Sequence, residues 1–153
     1  MPVKSITFVD EFSVVLQSYI CHIKDVIADG NYSFRAITDI IGLGEDEWAQ
    51  VRKDLLNKLY SHLDDYGKLY GHERVNELIH ILSYYENWPV SFDRWMTMPD
   101  MGHLIASCYN VVLFHLSSVQ RLTFFPLRSE QVHILSRRNI ALGYVFGNHF
   151  VEV

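Results

Sequence analysis

Two short runs hold the residue types that could act as a catalytic pair. The first is Asp29-Gly30-Asn31-Tyr32-Ser33-Phe34-Arg35-Ala36, set between an extended run and a helix. A turn of this kind, Asp29 to Asn31, points backbone amide hydrogens at whatever occupies the helix N-terminus. That geometry depresses a nucleophile's pKa and stabilises an oxyanion. The second run is Gly147-Asn148-His149-Phe150-Val151-Glu152-Val153, with His149 opening a final strand. A thiol in the first run and an imidazole in the second would make the pair a cysteine protease needs.

Other chemistries fit less well. The eight histidines invite a zinc reading, and His72-Glu73 begins like the metalloprotease helix motif. That motif needs a second His four residues on, and position 76 is Asn, while His80 falls on a different part of the helix. Neither a metal nor another cofactor is expected. Gly42-Leu43-Gly44 follows a helix rather than a strand and lacks the third glycine of a dinucleotide loop, so it reads as a helix stop. Ser33 is the one hydroxyl that could replace a thiol. A single helical step turns a side chain by about 100°, so Ser33 is expected to point away from His149 and to support the first helical turn.

The elements that must position these residues follow from periodicity. Residues 11–19 read as a short helix with Phe12, Val15, Leu16 and Tyr19 on one face. Ile20 to Ala28 reads as a strand or extended approach ending at the Asp29-Gly30-Asn31 turn. A helix from Tyr32 to Ile41 stops at Gly42, and a second spans about Asp46 to Leu63 with the stripe Trp48, Val51, Leu55 and Leu59. A third covers His72 to Tyr84 through Val75, Leu78, Ile79 and Leu82. A fourth follows Pro99, which suits a first turn, and carries Met101, Leu104, Ile105 and Cys108. Short β-rich runs come next, at Val111 to Phe114, Leu122 to Phe125, Ile140 to Phe146 and Phe150 to Val153. Helices first and strands later make one α+β domain with a small, mostly antiparallel sheet packed between helices.

Bulk composition narrows the function classes. The 153 residues are 49% apolar and 20% charged, enough for one buried core. Thirteen basic against 18 acidic residues, a net charge of −5, argue against a surface that tracks nucleic acid. The chain shows no apolar run of membrane-spanning length and no basic-headed leader, so an intracellular setting, nuclear or cytoplasmic, is expected. Two cysteines without a Cys-x-x-Cys pattern suit a reducing compartment, with Cys21 and Cys108 as small core residues. Rings make up 14% of the chain, and some of them are expected to meet a partner. Trp88, Phe92 and Trp95, spread around Pro89, are the interface candidates. The tyrosines between Tyr60 and Tyr70, and the Tyr84-Tyr85 pair, read as packing rings.

From about Ile20 to Val153 the sequence resembles the ovarian-tumour (OTU) domains, papain-like cysteine proteases that remove ubiquitin. The first family motif reads Asp-Gly-x-Cys-x-Phe-Arg, matched here by Asp29, Gly30, Phe34 and Arg35. The second is a His followed by an aromatic residue, matched by His149 and Phe150. Arg94 to Ser107 and Tyr109 to Val112 resemble the OTU-like domains of Mutator-type transposable elements. The resemblance implies a papain-like fold across 1–153, with the motifs in 20–153.

Tyr32 stands where the family motif has its nucleophilic cysteine. A phenol with a pKa near ~10 is protonated at neutral pH and is a poor acyl nucleophile. The family's third member, two residues after the His, falls on Val151, which cannot orient an imidazole, and strand alternation points Glu152 to the other face. The resemblance therefore implies an inactive OTU-like domain with a degenerate site at Asp29, Tyr32 and His149. Such a domain is expected to bind another protein, with ubiquitin or a ubiquitin-like modifier as one candidate, in a chromatin- or transcription-linked complex. Its rivals are a hydrolase with an unforeseen nucleophile and a simple ubiquitin-binding module.

Overall fold

The computed structural model describes residues 8–27, 29–85, 92–98, 100–118, 121–127, 138–145 and 149–153. The side chains of Glu45, Phe92, Val145 and His149 are outside that description, as are Trp88, Pro89 and Pro99 altogether. The helices are α1 (Val14–Gln17), α2 (Tyr32–Ile40), α3 (Trp48–Ser61), α4 (Leu63–Tyr70), α5 (His72–Leu82) and α6 (Asp100–Tyr109). Strands β1 (Val111–Leu116), β2 (Arg121–Phe124), β3 (Arg138–Val145) and β4 (His149–Glu152) follow. Three-residue 3-10 turns lie at Val9–Glu11, Glu45–Glu47 and Phe92–Arg94.

Among the described residues the strands form one sheet in the order β2-β1-β3-β4. The outer pairings, β1 with β2 and β3 with β4, are antiparallel, and the central pairing of β1 with β3 is parallel. The α+β expectation holds, and so do all four strand positions.

Alternation along the strands makes two cores. Val111 and Leu113 of β1, Ile140 and Leu142 of β3, and Phe150 of β4 face the helices and join Phe34, Ile37, Leu55, Leu59, Leu78, Leu104 and Ile105 in the main core. Val151 and Leu116 face the other way, where Phe12, Ile20 and Leu16 cover the sheet from the N-terminal segment. Gly143 makes that cover possible. A Cβ there would come within 2.6 Å of the Phe12 ring and 2.9 Å of the Val151 side chain.

The stripes expected of the longer helices are buried: Trp48, Val51, Leu55 and Leu59 on α3, and Val75, Leu78 and Leu82 on α5. Ile79 is only partly buried, and Ile81 takes a core place instead. Gly42, at φ +94°, ends the α2 segment in a conformation that favours glycine.

Three expectations need correction. Residues 11–19 are not one helix, because Ser13 is extended (φ −57°, ψ 146°) and resets the helical phase. Phe12 and Leu16 still pack inward, but Val15 and Tyr19 face solvent. The helix beginning at Trp48 ends at Ser61. His62 (φ −136°, ψ 39°) breaks it and starts α4, which the periodicity had not marked. Cys21 is exposed rather than a core residue, whereas Cys108 is half-buried.

Candidate functional site

The turn before α2 is built by its own side chains and by one remote cation. Gly30 adopts φ +85°, which a side chain rarely tolerates. Asp29 Oδ1 accepts the Asn31 backbone N–H at 2.9 Å, closing the turn rather than capping the helix. Arg35, one turn into α2, returns to donate from Nε (3.1 Å) and Nη2 (2.6 Å) to Asp29 Oδ2. Both side chains of this pair are largely buried. Desolvation alone would raise the Asp29 carboxyl. The Arg35 hydrogen bond and charge, with the Asn31 amide, outweigh it and hold the group below its usual 3.8.

Arg52 of α3 fixes the other side of the turn. It is fully buried and donates to Asn31 Oδ1 (2.8 Å from Nη2), to the Ile81 carbonyl (2.5 Å) and to the Arg94 carbonyl (3.1 Å). Its guanidinium lies 3.9 Å from the Phe34 ring centroid, a cation–π contact inside the core. Burial pulls its pKa down to about 9, the direction expected when a cation leaves water. Arg52 was not among the residues marked in the sequence. It follows Val51 and sits four residues after Trp48 and three before Leu55, on the apolar stripe itself. An arginine in that phase is the signal that was there to read.

Tyr32, the first residue of α2, is buried at 5% exposure. Its ring meets Trp95 edge-on at 5.5 Å and stacks with Phe150 of β4 at 6.0 Å. Desolvation, then the nearby Tyr144 phenol, raises the Tyr32 pKa to about 12. The ring system continues from Phe150 to Tyr144 (4.9 Å) and to His115 of β1 (5.8 Å). His115 is buried, its Nδ1 has no hydrogen-bond partner among the described residues, and burial lowers its pKa. What the chain assembles here is a packed aromatic wall whose phenol is held neutral.

The remaining candidates fall out as follows. His149 opens β4 opposite Val145, so its backbone stands one residue from the Phe150 that touches Tyr32; its imidazole lies outside the described residues. Ser33 is buried, and its direction relative to that imidazole lies outside them too. Val151 lies in the second core, facing away from Phe150. Glu152 lies beside Asp39, seven residues along α2 from Tyr32 and about 10 Å up the helix. Lys24 binds Asp39 (2.5 Å) and exchanges both backbone hydrogen bonds with Glu152, so this acid ties the chain together rather than serving the turn.

Cys21 lines a groove with Phe114, Leu116 and Ala141 on the sheet face opposite Tyr32. Cys108 sits on α6 with its thiol raised to about 12 by burial. Neither takes the nucleophile's place. Of the interface candidates, Trp95 is half-buried against Tyr32 and the main core rather than free at the surface. Trp88 and the Phe92 side chain lie outside the described residues. Among the tyrosines expected to pack, Tyr66 is buried, whereas Tyr60 and Tyr85 are exposed.

No protein-family model matches the sequence, and no curated protein does. Solved structures are similar in fold. The OTU domain of OTUD1 superposes with a TM-score of 0.60 at 16% identity over 86% of this chain and 83% of its own. The viral OTU domain protease of Qalyub virus gives 0.62 at 10% identity over 86% and 82%. That of Farallon virus gives 0.59 at 16% identity over 86% and 82%. The chain has the OTU-domain fold.

Proposed function

We propose that this chain is an OTU-like domain that has lost proteolysis and serves as a protein-binding module. The observation that carries the reading is the state of Tyr32. In the motif-like turn, at the first position of α2, a buried phenol with a pKa of about 12 stands where an attacking thiolate would be needed. The scaffold around it is intact, since Asp29, Arg35 and Asn31 still fix the turn. An apolar Val151 in the second core adds a further defect, because it offers no hydrogen bond to orient an imidazole. The transposon-like segment suggests a chromatin- or transcription-linked complex within the cell, nuclear or cytoplasmic. Ubiquitin and its relatives are the first partners to titrate.

The test is a ubiquitin probe with a thiol-reactive C-terminal group, together with a fluorogenic ubiquitin substrate. The protein is expected to remain unlabelled and to show no turnover that His149→Ala abolishes. Labelling near His149, or His149-dependent turnover, would overturn the loss of catalysis. Ubiquitin titration then separates a retained ubiquitin-binding module from one that has taken another protein partner.

A further inference from the structure

We draw no further inference here: the strongest candidate, the apolar groove that Leu16, Ile20, Phe114, Leu116 and Ala141 line where the N-terminal segment crosses the sheet, carries none, because nothing in the structure shows what covers it.

Discussion

A cysteine placed at position 32 would inherit a poor environment for attack. Burial raises a thiol's pKa, and the rings of Trp95 and Phe150 would face a void where the phenol had been. Tyr32→Cys is thus expected to destabilise the fold by about 3 kcal/mol, the usual scale for deleting a buried ring. It should restore little or no cleavage of linked ubiquitin; urea unfolding and a gel-based cleavage assay check both halves. Arg52 makes a sharper case at the same scale. Arg52→Ala would leave Asn31 Oδ1 and the carbonyls of Ile81 and Arg94 without their donor, at an expected cost of about 3 to 5 kcal/mol by denaturant midpoint. Arg52→Lys should recover only part of that, because one ammonium cannot reproduce a planar fork that serves three acceptors.

Between elements, α6 packs closely on β2 at Gly102. A Cβ built on Gly102 would lie 2.5 Å from ring atoms of the buried Phe124. Gly102→Ala gains about 1 kcal/mol of helix propensity, yet overpacking a filled core usually costs about 1 to 3 kcal/mol. A net loss of stability by thermal unfolding is the expected outcome, and an unchanged or raised midpoint would refute the contact. The elements themselves were largely legible in the sequence, because α3, α5, α6 and the four strands announce their buried faces through spacing. What was hidden is long-range. Nothing local says that the Arg52 guanidinium reaches Asn31, 21 residues upstream, or that Phe150 stacks on Tyr32. The break at His62 was equally silent, since it interrupts the periodicity at a polar position that either side could have claimed. The degenerate turn could be read because its parts are contiguous: Asp29 and Gly30 form it, and Arg35 returns to it within one helical turn. The placement of Tyr32 in the core could not, since it depends on β4 returning from the far end of the chain.

Across the whole molecule, imidazoles shielded from water set part of its response to acid. His103 and His115 both have pKa values lowered by burial, so the folded state holds each imidazole neutral where the unfolded chain, near 6.5, would protonate it. In that interval the unfolded state binds more protons, and stability must fall as pH drops below about 6.5. Asp29 acts with the same sign further down. Its depressed pKa stabilises the fold above the unfolded carboxylate value, and that contribution is lost as pH falls through the folded one, below about 4. Two separable acid limbs are therefore expected in the denaturant midpoint measured from pH 8 to 3. His115→Phe fills a comparable place beside Tyr144 and Phe150 without a titrating nitrogen. It should flatten the upper limb and leave the lower one. Asp29→Asn should do the reverse, at the expense of a lower midpoint at neutral pH because Arg35 loses its buried counter-charge and keeps the exposed Asp46 at 3.3 Å. If His115→Phe left the slope between pH 7 and 5 unchanged while His103→Phe removed it, the limb would belong to the imidazole packed on Phe124. An unchanged slope in both variants would mean that neither ring carries it.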